Sequence, residues 1–244
     1  GHVATIDLND REHNQPWPGG RTNHYLYDLN RDWLPATQPE SQGRLKLYYN
    51  WRPQVVVDFH EMGRDRTYFF QPGIPSRNNP NTPENVFNLT NRLATYHAEA
   101  LNNIGVLYYS KERFDDFYYG KGSTFPDVTG AVGILFEQAS SRGLATSTTS
   151  GELSYTFSIK NHFNASLGTL KGMWEMRDEF LEHQRNFYRD ASKAAIQFPT
   201  KAYLISTEYK KTQVGLLLNN LSQHQVKLHS LKKPYAANNM KFQP

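Results

Sequence analysis

The sequence predicts an α/β domain, and two stretches carry most of that expectation. Gln54-Val-Val-Val-Asp-Phe-His-Glu-Met-Gly63 and Val132-Gly-Ile-Leu-Phe-Glu137-Gln are short apolar runs that end in polar, chemistry-bearing side chains. Three β-branched residues in a row after Pro53 read as a strand buried on both faces. Strand side chains alternate, so Asp58 and His60 share one face. Polar groups gathered at the carboxyl end of a buried strand mark the place where an open α/β sheet holds its ligands. Apolar residues recurring at helical spacing between and after these runs supply the covering layers.

Taken in order, Val3 to Leu8 reads as a short strand and Pro16-Trp-Pro-Gly-Gly20 as a turn. Arg21 to Trp33 is too polar for a core element and too rich in hydrogen-bonding side chains for an idle loop. A helix is expected from Pro39 to about Asn50, stopped by Pro53. The strand from Val55 follows, then a Pro- and Asn-rich loop over Phe69 to Asn81. Thr82 reads as the N-cap of a helix with apolar contacts at Val86, Leu89, Leu93, Tyr96, Ala100 and Ile104, closed by Gly105. Val106 to Ser110 reads as a strand and Asp115 to Asp127 as a Tyr/Gly-rich loop. After the Val132 strand, Ala139 to Gly151 is small and polar and reads as loop. Phe163, Leu167, Leu170, Trp174, Phe180, Leu181, Phe187 and Tyr188 then mark the core-facing stripe of one long helix reaching about Ala195.

Phe198-Pro199-Thr200 is the expected boundary between a main domain (1–198) and a terminal segment (199–244). In that segment a strand at 202–206, a helix at 212–221 and a strand at 225–231 read as a βαβ unit. It is expected to pack on the main domain or to begin a second one.

With 244 residues the chain can bury a sizeable core, and 14% aromatic residues compensate for an apolar share of only 38%. The net charge is +4, and the basic excess lies near the C-terminus rather than in a stripe interleaved with aromatics, so nucleic acid is not the expected partner. The absence of cysteine excludes disulfides, thiolate catalysis and Cys-based metal sites. No apolar stretch reaches the ~18 residues that a membrane span needs. The residues set neither the compartment nor the oligomeric state.

Asp28-Leu-Asn30-Arg31, preceded ten positions upstream of Arg31 by Gly20-Arg21, resembles the zinc metallocarboxypeptidase family of carboxypeptidase A/B-like enzymes. Asp58-Phe-His60 is similar to that family's downstream zinc histidine, and Phe136-Glu137 to its catalytic glutamate. The order along the chain agrees over roughly residues 1 to 195. The resemblance implies a three-layer α/β/α fold with a mixed, mostly parallel sheet of the zinc-exopeptidase type. It also implies removal of a C-terminal residue from a peptide or peptide-like amide. By the same resemblance Asn30 and Arg31 would hold the free carboxylate of the substrate, for which a guanidinium offers a matching planar fork. Arg21 would polarise the scissile carbonyl. His60 would ligate zinc, Glu137 would move the proton, and Tyr119 or its neighbour Tyr118 would close over the substrate. Asp28 would orient a ligand from behind. The resemblance leans towards a secreted or periplasmic location.

The family takes two zinc ligands from a His-x-x-Glu motif upstream of the Asn-Arg pair. None of the nine histidines here is followed three positions later by Glu. The chain therefore reads as the downstream part of such a domain, incomplete at its N-terminal edge. Only His60 of the expected zinc ligands is present, and the chain alone is expected to be inactive, since a catalytic site takes three protein ligands. A different class stays open: a non-catalytic module that binds carboxylate-bearing ligands through Arg21, Asn30 and Arg31. A hydrolase built on His60 and Glu61 is a poor third, because strand neighbours point to opposite faces.

Overall fold

The computed structural model describes residues 21–141, 143–237 and 240–243. The expected strand at Val3 to Leu8 and turn at Pro16 to Gly20 lie outside them. Helix α1 spans Pro39–Trp51. Pro39 occupies the first turn, where a missing N–H leaves no bond unmade, and Glu40 sits at the positive end of the helix. The helix stops at Arg52, which takes a left-handed backbone and returns its N–H to Tyr48 O. Pro53 forbids a further turn.

Strands β1 (Val55–Met62), β2 (Tyr68–Phe70), β3 (Tyr108–Tyr109) and β4 (Val132–Ala139) form a sheet ordered β1-β4-β2-β3. β1 runs parallel to β4 and β2 parallel to β3, while β2 and β4 are antiparallel, so the sheet is mixed and mostly parallel as expected. Side-chain alternation along β1 divides the protein into layers. Val55 and Val57 face a core shared with α2 (Glu84–Asn102), α3 (Tyr155–Glu175) and α4 (Arg177–Gln197). Val56 faces the opposite way, into a cluster of Trp33, Ala36, Leu45, Tyr48 and Phe125 against α1. Helices on both faces make the α/β/α sandwich. β4 lies inside the sheet and is almost wholly buried; β1, paired on one side among the described residues, is only half-buried rather than buried on both faces.

Several local expectations need correction. Tyr68–Phe70, at the start of the expected loop, is a strand of three buried aromatics. α2 begins after Pro83 with no side-chain cap; the Thr82 hydroxyl pairs instead with the Tyr119 hydroxyl at 3.1 Å. Gly105 does close that end of the chain's turn, with φ +69° and the Val106 N–H returned to Leu101 O. The strand after it shortens to Tyr108–Tyr109. The expected loop after Ala139 contains a hairpin, β5 (Ala145–Thr148) and β6 (Gly151–Ser154).

The expected single helix is two, broken at Met176, and its apolar stripe is not the core. Phe163, Leu167, Leu170 and Trp174 lie on the outer face of α3, with Trp174 71% exposed, and of the eight stripe residues only Phe180 is fully buried. The face that α3 turns inward carries Ser158, Asn161, Ala165, Gly168, Thr169 and Gly172. A methyl group on Gly168 would meet Tyr96 O at 2.8 Å, and one on Gly172 the ring of Tyr96. Small residues win that face because α2 and α3 approach too closely for large ones.

The terminal segment forms no βαβ unit. Helix α5 (Lys211–Gln223) is present, but 202–206 and 225–231 are not strands, and a hairpin of β7 (Tyr235–Ala237) and β8 (Met240–Phe242) follows. A parallel pair needs a covered face, and these residues are largely exposed. α5 is tied to the main domain by polar bonds. The Asn220 amide donates to Leu34 O and Pro35 O (3.1 and 2.6 Å), and His224 Nε2–H donates to Leu34 O at 2.8 Å. With Nε2 as the donor, Nδ1 is left to accept from the Tyr49 hydroxyl at 3.1 Å. No helix of the described residues is long and apolar enough to cross a membrane.

The reassigned faces predict unequal sensitivity to truncation. Urea unfolding of Trp174→Ser should stay within about 0.5 kcal/mol of the parent, whereas Phe180→Ala should lose about 3–5 kcal/mol.

Candidate functional site

The parallel register of β1 and β4 sets His60 directly beside Glu137. Registered neighbours on adjacent strands share a face, and this is the α1 face that also carries Asp58. The two strand ends singled out from sequence therefore meet.

The polar stretch before α1 supplies the third part. Asp28 caps a single 3-10 turn, Leu29–Arg31, by accepting from Asn30 N at 2.9 Å. The turn delivers the Asn30 side chain to the end of β1. Its Oδ1 accepts from Gly122 N at 2.8 Å, which fixes the amide so that Nδ2 points at Asp58 Oδ2 (2.9 Å) and His60 Nε2 (2.7 Å). The other Asp58 oxygen lies 2.8 Å from His60 Nε2. Asp58 thus faces both nitrogens, one at each carboxylate oxygen. Arg21, Leu29, Asn30, Trp33, Arg44, Asp58 and His60 line one cleft of about 340 Å³.

Arg21 is half exposed and pairs through Nε with Asp28 Oδ2 at 3.3 Å. Asp28 thereby orients both Arg21 and the Asn30 backbone. Glu137 is pushed up to about 7 by burial, against the opposing pull of His60 and Arg21. Such a carboxyl exchanges its proton near neutrality.

Not every expected residue joins this cluster. Arg31 shares the turn, but its side chain is exposed and donates to the neighbouring Asn30 carbonyl at 2.8 Å, outside the cleft lining. The two tyrosines separate: Tyr118 reaches back to the turn, donating to Arg31 O at 3.2 Å, whereas Tyr119 is held by Thr82. Tyr118 is the one placed near the cleft.

The loop bearing them is pinned against the turn at two glycines. A methyl group on Gly120 would collide with the Tyr118 ring and Arg31 O; one on Gly122 would sit 3.0 Å from both Asp58 Oδ2 and Trp33 Nε1. Beneath the loop two carboxyls, Asp116 and Asp127, are buried close enough to act on each other, and Asp116 Oδ1 and Asp127 Oδ2 have no hydrogen-bond partner among the described residues. Burial raises both; the Thr124 hydroxyl and Lys121 ammonium partly offset this at Asp116. Asp127 also accepts from Gly133 N at 2.8 Å, fastening the loop to β4.

Among the described residues no three His, Asp or Glu side chains converge to hold a metal ion. Sequence reasoning missed Gly122, Trp33 and Arg44. Arg44 had a signal, since it falls on the same face of α1 as the buried Ser41, Leu45 and Tyr48. Comparison with protein families, with curated proteins and with solved structures finds no match to this chain.

Two substitutions probe this architecture. Gly122→Ala should displace Asp58 or Trp33 and lower stability by about 1–3 kcal/mol in a urea titration. For the carboxyl pair, a group raised in the folded chain contributes its full stability below the ordinary range near pH 4. That contribution is lost as pH rises through the folded value. Asp127→Asn removes one raised carboxyl and keeps an acceptor for Gly133 N, so its melting temperature should fall less between pH 4 and pH 8 than the parent's. Equal slopes would count against a raised carboxyl at Asp127.

Proposed function

We propose that this chain carries the substrate-anchoring and proton-transfer residues of a carboxypeptidase-like hydrolase, acting on a peptide or peptide-like amide beside a free C-terminal carboxylate. The observation that supports the reading is the meeting of Arg21, Asn30 and His60 in one cleft, with Glu137 in register beside His60. Arg21 offers a fixed cation to a carboxylate or to an oxyanion as it forms. Glu137, raised to about 7, can accept and return a proton at neutral pH. The chemistry that the resemblance assigns to zinc needs ligands beyond His60, so the chain by itself is expected to bind its substrate and not to cleave it.

The second reading, a non-catalytic module for carboxylate-bearing ligands, rests on one observation of its own. His60 Nε2 is already enclosed by Asp58 and Asn30. Binding without turnover is expected of the chain on both readings; release of the terminal residue when zinc is added would overturn the expected inactivity and favour the peptidase over the module. Both require that a peptide acid bind better than its amide. Titration of N-acetyl-Gly-Ala against N-acetyl-Gly-Ala amide should show at least a ~10-fold preference for the acid, as charge-assisted bonds contribute about 1.5–3 kcal/mol. Arg21→Met should abolish the preference. No preference in the parent rejects the carboxylate cleft.

A further inference from the structure

The cleft contains a second cation that the reading above leaves unused. Arg44 reaches it from α1 and is held there by three contacts. Its guanidinium carbon lies 4.1 Å from the centre of the Trp33 ring, and Nη2 donates to Leu29 O (3.0 Å) and Ser41 Oγ (3.2 Å). Trp33 is itself immobilised, 8% exposed and packed on Phe125 and Tyr48. The guanidinium is therefore preorganised on a fixed indole.

What it lacks is a countercharge. Two carboxylates are close enough to act on it electrostatically, Asp32 and Asp58, and both are committed elsewhere. Asp32 accepts from Thr37 N, Thr37 Oγ1 and Gln38 N at 2.8–3.0 Å. Asp58 accepts from Asn30 and stands against His60. Arg44 makes no ion pair within 4 Å among the described residues, and its Nε is buried without a partner. Burial disfavours its charge, and these two carboxylates oppose that without touching the guanidinium. Holding a half-buried guanidinium without a direct partner is unfavourable. A bound anion in the cleft removes the penalty. Arg21 and Arg31 differ, because one is paired with Asp28 and the other is solvated.

We propose that Arg44 forms a second anion subsite in the cleft, so that the favoured ligand carries two carboxylates, the terminal one and that of an acidic terminal side chain. The proposal rests on the carboxylate reading of the cleft. It selects among such ligands by charge, since glutamate and glutamine at the terminal position have nearly the same shape and differ in what they offer a guanidinium.

The test titrates the full chain with N-acetyl-Gly-Glu and N-acetyl-Gly-Gln, alongside the peptide acid and amide used above. The parent should bind the Glu-ended peptide about 10-fold more tightly than the Gln-ended one, the effect of one charge-assisted contact. Arg44→Met keeps the length that stacks on Trp33, and should bring the two peptides to equal affinity by weakening the Glu-ended one about 10-fold more than the Gln-ended one. Arg44→Lys should restore part of the preference. Equal affinities in the parent overturn the subsite, as does a loss in Arg44→Met that is the same for both peptides, which marks Arg44 as a brace for the Leu29 to Trp33 turn. Should Arg44→Met fail to fold, the parent's own Glu-to-Gln ratio still decides. A peptide acid that beats its amide while Glu and Gln bind alike rejects the subsite and keeps the cleft; binding of none of the peptides rejects both.

Discussion

The cleft depends first on the parallel pairing of β1 with β4. That pairing buries Val132, Ile134 and Phe136 against the helices on one side and leaves the other side of the strand ends polar. Because a one-residue slip would turn every side chain to the opposite face, the hydrophobic pattern of both strands sets the register. His60 and Glu137 are neighbours as a result of core packing, not of any attraction between them.

The Asn30 amide does the remaining assembly. It is reached by a short capped turn and fixed by the Gly122 N–H, and it closes on the Asp58–His60 pair. Three segments far apart in sequence meet through one planar group. A planar amide with both ends bonded orients what it touches, since neither oxygen nor nitrogen can be exchanged without breaking a bond. The nearby glycines matter for the same reason: the loop approaches so closely that a methyl group has no room. The buried Asp127 carboxyl beneath the loop holds it to the start of β4 by accepting from Gly133 N.

The opposite layer shows a different balance. α2 and α3 pack through small residues, which leaves Phe163, Leu167, Leu170 and Trp174 on the surface. Periodicity finds a stripe at helical spacing but does not say which side of the helix meets the core. Bulk usually decides that; here close approach of two helices does. The same limit explains the terminal segment, where strand-like patterns met no sheet to join and α5 settled on the α1 side through Asn220 and His224.

Local sequence alone determined the elements with strong physical punctuation: α1 between Pro39 and Pro53, β1 and β4 from their apolar runs, α2 closed by Gly105. The strand ends singled out His60 and Glu137, the family resemblance added Arg21 and Asn30, and these four lie near one another in the structure. What the sequence could not determine were orientations. Arg31 turns outward, Tyr119 turns to Thr82, and Arg44 turns in over Trp33, because each depends on which partner lies within reach after the layers have packed. Residue type is a property of the chain, whereas the direction of a side chain and the availability of a countercharge belong to the assembled surroundings, and only the tertiary structure decided them.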